Sequence, residues 1–110
     1  MPYYMFQMSY SREAVKAMIA RPTDRKAAAQ KVTEAAGGRL LEFFFSFGTN
    51  DVVVIAEAPS DAAMAAVSLA VAASGAGSSG AITKLLTAEE GMEALKLAAK
   101  AGGSYVPPMA

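Results

Sequence analysis

Cysteine and histidine are both absent from the 110-residue sequence. The chain therefore has no thiol chemistry and no disulfide, few means of binding zinc, and no catalytic triad built on imidazole. It also lacks the side chain that ordinarily titrates near neutral pH. We accordingly expect no metal and no cofactor, and the lack of cysteine fits a cytoplasmic protein.

An excess of charge of either sign is also missing, because ten basic and ten acidic side chains cancel. Nucleic acids and anionic membranes are bound mainly through clustered positive charge, so the sequence predicts neither as a partner. The N-terminus lacks the basic and long apolar segments of a signal peptide. The longest apolar run, residues 62–77, is alanine-rich and interrupted by Ser68 and Ser74. A membrane span needs about 20 strongly apolar residues, so this run is not predicted to be one.

The length suits one small domain, which we assign to residues 1–102, with a proline-containing tail at 103–110. A domain this short buries a modest fraction of its surface, so association of subunits is an expected source of stability. Hydrophobic residues make up 54% of the sequence. Many of them are alanines, which favour helix but add little volume to a core.

Strand and helix signals follow one another in the order β-α-β-β-α-β-α. Aromatic and β-branched runs with turn residues between them predict the strands, which cover residues 2–10, 39–47, 52–58 and 81–86. Capping residues and terminal glycines predict the helices, which cover residues 11–36 with a break at Pro22, 59–75, and 87–102. Thr87 and Glu90 have the spacing of a capping box.

This order is the ferredoxin-like βαββαβ pattern, in the α+β class, with an added C-terminal helix. The antiparallel sheet should have the spatial order 4-1-3-2. Its two main helices cover one face, so the second face must meet solvent, the last helix or another subunit.

Phenylalanines on the second strand indicate which of these covers the second face. Phe43, Phe45 and Phe47 should point to one side and Phe44 to the other. Several exposed phenylalanines together would form a patch larger than monomers usually tolerate. We therefore expect a homodimer, or a higher homo-oligomer, that buries Phe43, Phe45 and Phe47 between sheets.

A short polar turn, Gly-Thr-Asn-Asp, joins the second and third strands. Its simplest interpretation is a tight turn in which Gly48 adopts a positive φ and the side chains of Asn50 and Asp51 make turn hydrogen bonds. Alternatively, Asn50 and Asp51 lie on the rim of a pocket and orient a polar ligand. A symmetric turn would place Phe45 opposite Val53.

Polar groups on two inner strands are the remaining site candidates. Glu57 is expected to pair with Arg39 or with a residue across a dimer interface; the alternative is a catalytic general base. Tyr4, Gln7 and Tyr10 lie on the first strand. They are most simply packing elements, and otherwise line a cavity for a small organic ligand.

Two long stretches are similar to the GYD domain family of small bacterial proteins. They read YYMFQMSYSREAVKAMIARP and AAGGRLLEFFFSFGTNDVVVIAEAPSDAAMAAVSLAVAASG. Gly48 and Asp51 match the Gly-x-Tyr-Asp turn of that family, and Asn50 stands where tyrosine is usual. The resemblance implies the architecture of dimeric α+β barrel proteins. Proteins of that architecture include cofactor-independent monooxygenases, small decarboxylases, haem-degrading enzymes and ligand-binding regulators.

Three functions remain open on these grounds. The first is a GYD-type oligomer that binds or senses a small molecule. The second is a cofactor-independent monooxygenase or isomerase acting on a small aromatic or carbonyl compound. The third is a purely structural oligomer. A cavity beside Tyr4, Gln7 or Tyr10 would favour the first two, and a perturbed ionisable group within it the second.

Overall fold

The computed structural model describes residues 1–109 of the chain. This part contains four strands and four helices, joined by loops. The strands are β1 (Tyr3–Tyr10), β2 (Arg39–Phe45), β3 (Val52–Glu57) and β4 (Gly77–Leu85). The helices are α1 (Arg12–Ala20), α2 (Arg25–Ala35), α3 (Asp61–Ala73) and α4 (Ala88–Gly102). None of these helices has the length and hydropathy needed to cross a bilayer.

The four strands form one antiparallel sheet in the order β2-β3-β1-β4. This is the predicted order 4-1-3-2 read from the other edge, so the ferredoxin-like α+β fold is confirmed. β1 lies next to β3 on one side and β4 on the other, as expected for a strand that is apolar on both faces.

Each helix begins at a side chain that accepts a hydrogen bond from a backbone N–H three residues later. The capping residues are Ser11, Asp24, Ser60 and Thr87. Pro22 lies between α1 and α2, where the sequence predicts a break. The capping box is complete, because Glu90 also accepts from the backbone N–H of Thr87 at 3.0 Å. These predictions are confirmed because a cap depends only on residues close in sequence.

The sheet has a helix-covered face and an open face. Every second residue of β1 is buried, starting at Tyr4, because these residues point towards the helices, where Met64 of α3 and Met18 of α1 pack against them. The helix-covered face consists of Tyr4, Phe6, Met8, Tyr10, Val52 and Val54. The open face consists of Tyr3, Met5, Gln7, Phe44, Val53 and Ile55.

The predicted register of the hairpin is wrong by one residue. Phe45 pairs with Val52, not Val53, because Ser46 pairs with Asp51 across the loop, and a bulge at Leu41 then shifts the pairing once more towards Arg39. Residues opposite each other share a face, so Phe43 and Phe45 lie on the helix-covered face. Their rings make an edge-to-face contact with 5.6 Å between centroids. Phe44 is then the phenylalanine of β2 that belongs to the open face.

β4 starts at Gly77, four residues before the predicted start at Ala81. The stretch Gly-Ser-Ser-Gly has the composition of a linker, yet it pairs with β1. Glycine allows the two backbones to lie close together: a Cβ added at Gly80 would lie 3.0 Å from the carbonyl oxygen of Gln7. Pairing with a neighbouring strand thus overrides the weak strand propensity of this segment.

The C-terminal helix α4 projects from the sheet and leaves the open face uncovered. No residue of α4 is buried, and Met92, Leu95 and Leu97 are all exposed. The radius of gyration is 17.7 Å, whereas a compact chain of this length would have about 13 Å. An apolar helix stripe and an apolar sheet face therefore lack a cover within residues 1–109.

Candidate functional site

An apolar cavity of about 110 Å³ lies between the helix-covered face and the helices α2 and α3. Phe6, Met8 and Val54 form part of its floor, and Val32, Met64 and Val67 part of its roof. Alanines at positions 28 and 29 of α2 also line it. These short side chains leave space that larger residues would fill.

Four polar side chains line the same cavity: Tyr10, Arg25, Thr33 and Ser74. The hydroxyl groups of Thr33 and Ser74 donate to carbonyl oxygens of their own helices, at 2.7 and 2.6 Å. Arg25 differs from them, since its Nε atom is buried and has no hydrogen-bond partner among the described residues. From the sequence alone, Arg25 is most simply a solvated cation at a helix start, with phosphate binding as the alternative, and its burial was not predicted. Its place on the inner stripe of α2, three and four residues before Ala28 and Ala29, was the available signal.

A second, wider cavity of about 220 Å³ lies on the other side of α3, against β4. Its lining includes Ser68 and the segment 77–80, and it shares Phe6 and Met8 with the first cavity. This cavity is unfilled because β4 has glycines, without side chains, at Gly77 and Gly80, where larger residues would pack against α3.

The polar loop between β2 and β3 is longer than the predicted turn. The backbone N–H of Ser46 donates to the carbonyl oxygen of Asp51 at 2.8 Å, so the tip consists of residues 47–50. Gly48 does not have the predicted positive φ; within residues 1–109, the glycines that do are Gly37 and Gly75. The hydrogen bond between Ser46 and Asp51 closes a four-residue tip, and tips of this length are most often built on a type I turn, which needs no left-handed residue.

Asp51 attaches this loop to the end of β1. Its Oδ2 atom accepts from the backbone N–H of Tyr10 at 3.0 Å, and its own N–H donates to the carbonyl oxygen of Met8 at 2.9 Å. The Oδ1 atom of Asn50 accepts a longer hydrogen bond from Ser9, at 3.4 Å. Neither Asn50 nor Asp51 is in the lining of the two cavities. These contacts give both residues a structural role, and ligand binding by either stays a prediction.

The polar candidates on β1 do not converge. Tyr4 and Tyr10 belong to the helix-covered face, and Gln7 belongs to the open face. Tyr10 lines the first cavity, whereas Tyr4 and Gln7 line neither. Alternate residues of a strand point to opposite sides, so Gln7 cannot share a site with the two tyrosines.

Glu57 is buried and forms the predicted ion pair with Arg39, with 2.8 Å between Oε1 and Nε. The two residues face each other across β2 and β3. Because Glu57 pairs with Tyr3 in the sheet, it lies on the open side and not beside either cavity. Its role as a general base stays a prediction. Within residues 1–109, no three Asp or Glu side chains are grouped so as to hold a metal ion.

Tyr4, Asp61 and Lys84 form a polar cluster that the sequence analysis missed. The hydroxyl of Tyr4 donates to Oδ1 of Asp61, and the same oxygen lies 3.1 Å from Nζ of Lys84. The hydrogen bond to Asp61, together with burial, raises the pKa of Tyr4 to about 12. The pKa of Asp61 is lowered, first by the hydrogen bond from Tyr4 and then by the hydrogen bond and the positive charge of Lys84. Tyr4 therefore keeps its proton at neutral pH and connects the start of α3 to the sheet.

Replacing Tyr4 with phenylalanine should reduce the loss of stability at alkaline pH. Unfolded tyrosine loses its proton near pH 10, whereas folded Tyr4 keeps it to about pH 12. The stabilisation is therefore complete below pH 10 and is lost as the pH rises to about 12. Asp61 acts in the opposite direction, since its lowered pKa gives stability at neutral pH that is lost on acidification. Urea unfolding at several alkaline pH values measures the difference between the two proteins.

Tyr105→Phe is the control for this prediction, because Tyr105 is exposed. It should leave the alkaline dependence unchanged. Equal slopes for wild type and Tyr4→Phe above pH 10 would show that the folded protein does not retain the Tyr4 proton.

The fold and the sequence of this chain are both similar to those of known proteins. The crystal structure of MtbAldR is similar, with a TM-score of 0.53 and 13% sequence identity, over 78% of this chain and 52% of that one. At this identity the similarity concerns the fold alone, and this chain spans about half the length of that protein. No curated protein is significantly similar in sequence. Residues 4–95 match the family model of the GYD domain, and because this stretch is most of the sequence, the chain belongs to the GYD domain family.

Proposed function

We propose that this protein binds a small, mostly apolar molecule in the cavity between α2, α3 and the sheet, and that it does so as a homo-oligomer. The observation that carries the proposal is the cavity of about 110 Å³, with apolar walls and few polar groups. Binding sites for small molecules typically combine apolar walls with a small number of polar groups that orient the ligand. The volume restricts the ligand to a few non-hydrogen atoms.

Binding is better supported than catalysis. A cofactor-independent monooxygenase or isomerase needs a group that moves a proton beside the substrate. The Tyr4 hydroxyl donates to Asp61, and Glu57 pairs with Arg39 on the opposite side of the sheet. Neither Tyr4 nor Glu57 lines either of the two cavities described above. The purely structural alternative is less favoured because the interior is not filled.

The oligomer is supported by the open face. Phe44 is 56% exposed, and Met5, Val53 and Ile55 beside it are half-buried, with no buried contact from a helix of residues 1–109 over this face. Fully burying one such side chain is worth about 1.5–3 kcal/mol. A second copy offers the same apolar face, so face-to-face pairing of two sheets would cover both.

Filling the cavity should abolish ligand binding. Ala29 is half-buried and lines the cavity, so the larger side chain of Ala29→Leu would occupy its volume. Ala27→Leu makes the same change on the exposed side of the same helix and is the control. Native mass spectrometry of protein purified from its own host reports both the subunit number and any retained small molecule.

We expect an extra mass on wild type and on Ala27→Leu, and none on Ala29→Leu. Absence of an extra mass from all three proteins, or its persistence on Ala29→Leu, would contradict binding in this cavity.

A further inference from the structure

Arg25 occupies an inward-facing position on α2 that would suit an apolar residue. It is the first residue of the helix, and Ala28, Ala29 and Val32 follow it at helical spacing along the same cavity wall. It is half-buried, whereas its neighbour Lys26 is exposed. Of the two cationic residues that begin α2, Arg25 therefore lies towards the interior and Lys26 towards solvent.

The Arg25 guanidinium has one buried donor that the described residues leave unsatisfied. Its buried Nε–H has no hydrogen-bond acceptor among the described residues. The ion pairs present in residues 1–109 join Arg39 to Glu57 and Lys84 to Asp61. A buried donor without an acceptor costs free energy, and the cost is removed when an acceptor is supplied. The position of Arg25 on the cavity wall lets a ligand supply it.

A carboxylate is the group that best satisfies this site. Guanidinium and carboxylate are planar, oppositely charged and able to form two parallel hydrogen bonds. Tyr10 lines the same cavity, and its hydroxyl is the type of group that can act as a second donor. The hydroxyl protons of Thr33 and Ser74 are already donated to helix carbonyls. The remaining wall is aliphatic or aromatic and suits a branched hydrocarbon group.

We infer that the ligand of this cavity is a small apolar monocarboxylate whose carboxylate group binds Arg25 while its hydrocarbon part lies among Val32, Met64 and Val67. This inference rests on the proposed function, and it adds the chemical class of the ligand. The cavity volume of about 110 Å³ favours short branched acids over larger ring systems.

Isobutyrate and isobutyramide test the inference, since they have nearly the same shape and differ in charge. Binding is measured by titration, following the methyl NMR signals of Met8, Met64 and Val67. Arg25→Met removes the guanidinium and keeps a long side chain. Lys26→Met removes the adjacent exposed cation and is the matched control. Xenon, which enters dry apolar cavities, reports independently on access to the site.

Wild type should bind isobutyrate at least about tenfold more tightly than isobutyramide. Arg25→Met should lose this preference, and Lys26→Met should keep it. Arg25→Met is expected to fold, because the Nε–H that it removes has no partner to lose. Its free energy of unfolding should be at least as large as that of wild type.

The inference is overturned if the two probes bind wild type equally, or if Arg25→Met keeps the preference for the acid. It is also overturned, while the proposed function stands, if xenon enters the cavity and neither organic probe binds. Exclusion of xenon together with both probes would overturn the proposed function as well.

Discussion

Met64→Ala should lower the free energy of unfolding by about 2–5 kcal/mol. Met64 is 1% exposed on the inner side of α3 and lies between the core and the cavity. Its removal takes away apolar contacts with the helix-covered face and enlarges a space that is already incompletely filled. The closely packed surroundings relax only in part, which adds the cost of the new cavity to the lost burial. Equilibrium unfolding in urea measures the change.

Leu69→Ala is the matched control for Met64→Ala, because Leu69 is on the same helix and is 69% exposed. Its effect should stay within about 0.5 kcal/mol. An effect as small for Met64→Ala would mean that α3 does not pack on the sheet as described. Since a ligand stabilises the state that binds it, a bound molecule should also restore part of the stability that Met64→Ala loses.

Phe44→Asp should convert the oligomer into monomers. Phe44 lies on the open face, so a symmetric pairing of two sheets would bring two carboxylates into an apolar interface. A charge buried there without a partner is strongly unfavourable. Light scattering coupled to size-exclusion chromatography gives the mass directly. Circular dichroism confirms that the monomer remains folded.

Phe45→Asp is the comparison that separates two possible interfaces. Phe45 is 59% exposed on the edge strand, on the helix-covered side, and Phe47 beyond it is fully exposed. The interface predicted from sequence uses Phe43, Phe45 and Phe47, so it requires Phe45→Asp to dissociate the protein. Dissociation by Phe45→Asp alone would place the interface on that edge. A wild-type monomer would remove the oligomer from the proposed function.

The predicted helix caps, which depend on neighbouring residues, were confirmed, whereas the exact register between distant segments was predicted less accurately. The caps at Ser11 and Thr87 involve groups three residues apart. The face on which Phe43 lies depends on the pairing of Ser46 with Asp51 across the loop, and the bulge at Leu41 then places Arg39 opposite Glu57; the local pattern of the second strand indicates neither. The early start of β4 depends on β1 as a partner for a segment that has the composition of a linker.

The candidate site shows the same division. The ion pair between Arg39 and Glu57 could be predicted because both residues lie at the matching ends of a hairpin. The cluster of Tyr4, Asp61 and Lys84 could not, because its members come from three elements that are far apart in sequence. Arg25 resembles any exposed cation at a helix start until the position of α2 over the sheet is known.

The sequence by itself determined the α+β class, the order of the elements along the chain and the helix starts, because alternation and capping are local properties of the chain. It also established that chemistry based on cysteine or histidine is absent. The tertiary structure decided which phenylalanines are available for assembly and where an unfilled space remains. It also placed beside that space the Nε–H of Arg25, which has no acceptor within residues 1–109. These features arise from the register of β2 and from the distance between α2, α3 and the sheet, which depend on contacts between segments far apart in the chain.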